Sequence, residues 1–277
     1  MTSPALDAPS TGSAEGRAGP ALVEALRQIA AIAGAELRKI RRDPTEIFSR
    51  SVQPILWLLV FGQVFTRTRA IPTGSLDYLA FMTPGILAQS VLFTGIFYGI
   101  AIIWERDLGI VHKLLVSPAF RSSLVLGKAV AAGARGVVQA VVIYVVAALL
   151  RVKLDLAPLA VVGVLLAVGL GGAIFATFSL VIACLVKTRE RFMGIGQVLT
   201  MPLFFASNAI YPVEMMPGWL RVVSRLNPLT YLVDLLRSLM VHGGHSQLGF
   251  AIDAGVLVAV LVGLVVLAAR LYPSVAR

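Results

Sequence analysis

Three windows of the chain, 78–104, 156–186 and 192–213, contain no Asp, Glu, Lys or Arg. A helix that crosses a bilayer needs roughly 20 mostly apolar residues, and long charge-free windows are its signature. In hydrocarbon the backbone must satisfy its own hydrogen bonds, so runs this long fold as helices. Composition agrees: 58% of the 277 residues are hydrophobic and 14% charged, against about 45–50% and about 25% in a soluble domain. The fold class is all-α integral membrane.

Six transmembrane helices are expected, at about 51–65, 79–104, 129–150, 157–185, 193–211 and 250–269. Segment 1–20 is rich in Ala, Ser, Gly, Pro and Thr and lacks the basic start and apolar core of a secretory signal, so it reads as a disordered cytoplasmic tail. Residues 21–277 read as one transmembrane domain. Within 21–43, Leu22, Leu26, Ile29, Ala33, Leu37 and Ile40 recur every three or four positions. Glu36, Arg38, Lys39, Arg41 and Arg42 take much of the remaining surface. The pattern suits an N-terminal amphipathic helix lying in the membrane interface; packing against a soluble partner is the alternative. Asp43-Pro44 ends it, because the residue before proline avoids the helical region.

With the N-terminus inside, sixteen basic residues fall in cytoplasmic segments and seven outside, and Arg135 lies within the third span. The positive-inside bias places both termini in the cytoplasm of a multi-pass protein of the cell (inner) membrane. The net charge of +10 then suits anionic lipid rather than nucleic acid. Two connections exceed plain turns: 105–128 on the cytoplasmic side and 212–249 outside. The outer one reads as two short re-entrant helices, one through Trp219, Leu220, Val222, Val223 and Leu226, the other through Leu232, Leu235, Leu236 and Leu239.

Several chemistries are disfavoured. An ion-coupled transporter needs carboxylates at membrane depth, whereas Glu46 and Asp253 stand near the ends of spans. Gly127-Lys128 has Ser122 and Ala129 where a phosphate-binding loop has Gly and Ser or Thr. Energy for active transport must therefore come from another polypeptide. An intramembrane enzyme would have to use His112, His242 or His245. His242-Gly-Gly-His245 lacks a convergent third ligand and reads as a solvated loop, so no metal is expected. Cys184, the single cysteine, reads as small apolar filler. Arg135 either snorkels toward the cytoplasmic surface or pairs with Glu46 or Glu105. Gly95-x-x-x-Gly99 permits close helix contact.

The cytoplasmic connection carries Glu105-Arg106-Asp107-Leu108-Gly109, then Leu114-Leu115-Val116-Ser117-Pro118, then Leu126-Gly127-Lys128. With the outer stretches 211–220 and Asn227-Pro228-Leu229-Thr230-Tyr231, these motifs resemble those of type-two ABC exporter permeases. The branch most similar is the daunorubicin-resistance type, with nodulation and polysaccharide exporters as neighbours. The resemblance runs from about Glu36 to the end. It implies a half-transporter that moves a hydrophobic or amphipathic, drug- or lipid-like compound out of the cell. A polysaccharide or lipid-linked glycan is the alternative cargo; an ion-coupled transporter or an intramembrane enzyme is the alternative of another class.

The resemblance also implies partners and roles. Two copies, or this chain and a close paralogue, would pair, each with a separate ABC ATPase subunit that binds ATP and Mg2+. This chain would bind no cofactor itself. Segment 105–118 would be the coupling helix, with Glu105, Arg106, Asp107, Gly109, Leu114, Leu115, Ser117 and Pro118 at the ATPase. Segment 21–43 would be the connecting helix. Spans two and five would line the path with Gln89, Phe93, Phe97, Val198, Met201, Phe204 and Phe205. One departure is that Ile110, Val111 and His112 stand where relatives often have Thr and an acid. The residues themselves agree with docking: Ile110, Val111, Leu114 and Leu115 can form an apolar ridge flanked by Glu105, Arg106 and Lys113.

Overall fold

A computed structural model of the chain describes residues 45–68, 71–74, 76–109, 121–186 and 188–272, with scattered positions between 27 and 38. The first helical run passes from α1 (Thr45–Leu56) through a π turn (Trp57–Gly62) into α2 (Gln63–Thr68). Four longer helices follow: α3 (Tyr78–Asp107), α4 (Arg121–Leu149), α5 (Pro158–Leu185) and α6 (Arg189–Phe205). A 3-10 turn at Val213–Met215 leads into α7 (Gly218–Leu226) and α8 (Pro228–Met240), and α9 (Phe250–Leu271) completes the order. Among the described residues the only β pairing is an isolated bridge between Leu154 and Val241.

Among the described residues, four helices are long and apolar enough to cross a membrane: α3, residues Ser123–Leu149 of α4, α5, and α9. The first run changes pitch at its π turn, and α6 has 17 residues. Neither reaches that length as a single regular helix. The expected connection 105–128 is shorter than its sequence suggested, because α3 continues to Asp107 and α4 begins at Arg121. Charge did not stop these helices: Lys128 and Glu105 neutralise each other inside the bundle, 2.5 Å apart. α6 ends at Phe205 rather than near 211. Beyond it, side chains take over the backbone bonds: Ser207 Oγ donates to the Phe204 carbonyl, and Arg237 donates to that of Asn208.

Local signals set several helix ends. The Asn227 side chain accepts from the Leu229 N–H at 3.0 Å, and Pro228 fills the first helical position of α8. Its amide nitrogen also donates to the Leu203 carbonyl at 2.7 Å, tying the start of α8 to α6. Gly109, with φ +71°, accepts the left-handed conformation that ends α3.

α3 and α5 form the centre. α3 is apolar on every side, and most of it is buried, as such a helix must be. Its Gly95 and Gly99 face α5. A Cβ on Gly95 would stand 2.6 Å from that of Phe175. The Ser179 hydroxyl accepts the Gly99 N–H at 2.9 Å and donates to the Ile96 carbonyl. Small residues bring the backbones close enough for polar stitching. α4 packs on α5 the same way, Gly133 lying against Gly169 and Gly172. The two short helices α7 and α8 differ from one another. α7 exposes Trp219, Val222 and Leu226, whereas α8 buries Leu229, Leu232, Val233, Leu236 and Met240 among α3, α5 and α9.

Candidate transport path and coupling end

The foot of α3 is held by charge. Glu105 and Lys128 form an inward pair whose side chains are largely buried. Asp107 reaches the other way: both Nη2 (2.6 Å) and Nε (3.1 Å) of Arg189 donate to one of its oxygens, while Arg106 donates to the other. The Arg189 guanidinium also lies 3.5 Å over the Trp104 ring, a cation–π contact. Arg106 Nη1 donates to the Val186 carbonyl at 3.2 Å. The end of α3 is therefore clasped to the turn between α5 and α6.

Of the expected coupling residues, Glu105, Arg106, Asp107 and Gly109 thus occupy the end of α3. Leu114, Leu115, Ser117 and Pro118 lie outside the described residues. So do Glu36, Lys39, Arg41 and Arg42 of the expected connecting helix, while Arg38 is helical and exposed. Sequence reading missed Trp104 and Arg189 as members of the clasp. An acid closing one span and a base opening another were visible, but 82 residues separate them, and no periodicity links such positions.

The expected path residues form two separate groups. Gln89, Phe93 and Phe97 on α3 share a cavity with Arg50 and Gln53 of α1. Phe93 and Phe97 stack, centroids 6.1 Å apart. Val198, Met201 and Phe205 are exposed on α6, outside that cavity. Phe204 is fully buried, edge-on to Trp57 at 5.9 Å. It is a packing residue of this fold. Arg135 stands 4.8 Å over the Tyr98 ring, and Cys184 is buried.

A buried polar network closes the far end. One Asp234 oxygen accepts from the N–H groups of Gln247 (2.6 Å) and Leu248 (3.1 Å) and from Ser246 Oγ (3.2 Å). The other lies 3.8 Å from Arg237. Arg237 in turn donates to the Asn208 carbonyl at 2.7 Å and lies 3.9 Å over Phe81. Burial pulls its pKa down to about 10, opposed by the carboxylates of Asp234 and Glu214, so it stays a cation at neutral pH. Ser246 shares its one hydroxyl proton between that Asp234 oxygen and Asp253, whose carboxylate lies 2.7 Å away. These carboxylates organise the turn before α9. No group of three or more His, Cys, Asp or Glu suited to a metal occurs among the described residues.

An all-helical bundle with four apolar helices of membrane length is an integral membrane protein. Residues 27–241 match the family model of the ABC-2 type transporter, and the chain belongs to that family. It is similar to the transport permease ycf38 of Cyanophora paradoxa, 31% identical over 74% of this chain and 71% of the relative. It is similar also to the daunorubicin resistance ABC transporter permease protein DrrB1 of Streptomyces coeruleorubidus, 26% identical over 82% of this chain and 78% of the relative. Nodulation protein J of Rhizobium leguminosarum bv. trifolii is 27% identical over 66% of this chain and 69% of its own. The family is that of transmembrane permeases, which normally work with an ABC ATPase and are not themselves that ATPase.

Proposed function

We propose that the chain is the permease half of an ATP-driven exporter that moves a hydrophobic or amphipathic, drug- or lipid-like compound out of the cell. Two copies pair, each seated on an ATPase subunit that holds ATP and Mg2+. The run 45–68 and α6 complete six spans, with both termini cytoplasmic in the inner membrane. Residues 1–20 form the tail and 21–277 the transmembrane domain. Within it, 21–43 and 105–118 meet the ATPase, and 212–249 forms the outer helical segment.

The clasp at the foot of α3 carries this reading. The coupling segment begins in the last turn of α3, where Asp107 bonds the start of α6 and Arg106 bonds the Val186 carbonyl at the end of α5. A push on the segment after Asp107 is delivered to both helices that bear the path residues. ATP-driven closure of the ATPase pair can thus reach the path through rigid elements.

Leu114→Asp tests the reading. A carboxylate set into an apolar docking groove costs several kcal/mol unless paired, and each 1.4 kcal/mol is about tenfold in an equilibrium constant. Co-purification of the ATPase should fall by about two orders of magnitude while the level of the variant in the membrane stays normal. Wild-type recovery of the ATPase would place the contact elsewhere, with 21–43 the first suspect.

A further inference from the structure

Arg151 stands where a helix ordinarily ends on glycine. α4 closes with the Arg151 N–H on the Ala148 carbonyl and the Val152 N–H on that of Ala147, each at 3.0 Å. Arg151 takes the left-handed conformation, φ +58°, and is the one residue with a Cβ that has a positive φ among the described residues. A Cβ is strained there, which is why glycine is the usual occupant. Beyond Arg151 the chain runs antiparallel to the end of α8. Leu154 pairs with Val241, and the His242 N–H donates to the Lys153 carbonyl at 3.1 Å. Lys153 and His242 are thereby cross-strand neighbours. Arg151, Lys153 and His242 line one cavity of about 340 Å³ together with Asp77, the residue before α3. All four are exposed, and among the described residues none of their side chains makes a hydrogen bond or an ion pair. Charges of both signs line one space without pairing. Leu79 of α3 and Leu150 after α4 belong to the apolar part of the wall.

We infer that this cavity is a lipid site for a phosphoethanolamine headgroup, with the phosphate at Arg151, Lys153 and His242 and the ammonium at Asp77. Phosphate oxygens accept from guanidinium and ammonium donors, and imidazole supplies a further N–H. The three donors of the lipid ammonium need an acceptor, which the Asp77 carboxylate is. Basic groups set opposite one another repel, and a phosphate between them removes that conflict. An arginine held in a strained backbone conformation is explained when its guanidinium serves a ligand. The place in the fold agrees. α3 starts and α4 ends at this cavity, and helices of membrane length end where hydrocarbon gives way to headgroups. Ligand pockets usually measure about 300–1,000 Å³. At the small end of that range, the space suits a headgroup whose acyl chains remain in the bilayer. A lipid held there joins the ends of α3, α4 and α8 whatever the cargo, so the inference goes beyond the transporter reading and does not rest on it.

The test uses the full chain purified in detergent, with phosphatidylethanolamine, phosphatidylglycerol and phosphatidylcholine of identical acyl chains as probes. Equilibrium binding is read by native mass spectrometry. Phosphatidylethanolamine should bind about fivefold or more above phosphatidylglycerol, which has no ammonium, and phosphatidylcholine, whose nitrogen has no N–H. Asp77→Asn keeps a good cap for α3 and should abolish that preference. Arg151→Gly removes the guanidinium and relieves the backbone. Affinity for all three lipids should then fall about fivefold or more, while the melting temperature of the lipid-free protein holds or rises. A purely structural role for Arg151 would leave lipid affinity untouched. Equal binding of the three lipids to the wild type, or wild-type affinity in Arg151→Gly, would overturn the site. Inorganic phosphate serves as the probe without acyl chains, and it should displace the lipid only weakly. Full displacement at the lipid's own concentration would make the cavity a soluble-anion site and overturn the lipid assignment.

Discussion

Asp234 serves two neighbours at once. Its carboxylate gathers the N–H groups of Gln247 and Leu248 on one side and faces Arg237 on the other, and both charged side chains are almost wholly buried. Breaking a buried pair from one side leaves an uncompensated charge. Asp234→Asn should therefore lower stability by about 3 kcal/mol, measured as a fall in the melting temperature of the detergent-purified protein. Neutralising both partners, Asp234→Asn with Arg237→Met, keeps an acceptor for those N–H groups and should cost less than the single change. A double variant no more stable than Asp234→Asn would show that the pair has little coupling. Sequence reading singled out the stretch that begins at Asn227 as a landmark without finding the partners of Asp234 just beyond it. The bonds to 246–248 close only when α8 and α9 are packed, and spacing along the chain does not reveal them. Gln89 was legible as a polar residue on an apolar span, but that its buried amide has no hydrogen-bond partner among the described residues was not.

At the level of helices, the contacts depend on where a glycine has a neighbour. Gly95 is pressed against Phe175, while a Cβ on Gly169 would meet nothing within 4 Å. Gly95→Ala should force α3 off α5 at a cost of about 1–3 kcal/mol. Gly169→Ala adds helix propensity in open space and should be neutral or slightly stabilising. Thermal melts of the two variants decide the matter, and equal effects would contradict the α3–α5 packing. The Gly95-x-x-x-Gly99 spacing announced a close contact but named no partner. Hydropathy located the four helices of membrane length, and α3 and α4 overran their expected ends. Apolar runs mark where hydrocarbon can begin, whereas helices continue for as long as charges such as Glu105 and Lys128 find each other.

For the whole molecule, the proposed arrangement of six spans predicts which sites a reagent outside the cell can reach. In a Cys184→Ser background, His245→Cys should react with a membrane-impermeant maleimide in intact cells, and His112→Cys only after permeabilisation. Labelling of position 112 in intact cells would overturn the topology. Class and family were legible in the chain from its charge-free windows and motif order. The division of the path residues into one group beside α1 and another on α6 was not, because it depends on how α1 leans on α3. The same packing has a consequence for synthesis. In the most apolar window of α3, 78% of residues are buried, against 11% for α9. α3 also carries Thr83, Gln89, Ser90 and Thr94 on buried surface, and these are groups that lipid does not welcome. The hydroxyl that stitches α3 to α5, on Ser179, is made 80 residues after Gly99. At roughly 5–20 residues per second, α3 waits about 4–16 s for its partner. During that interval it depends on the insertion machinery for shelter, whereas α9, with most of its surface open, can enter the bilayer unaccompanied.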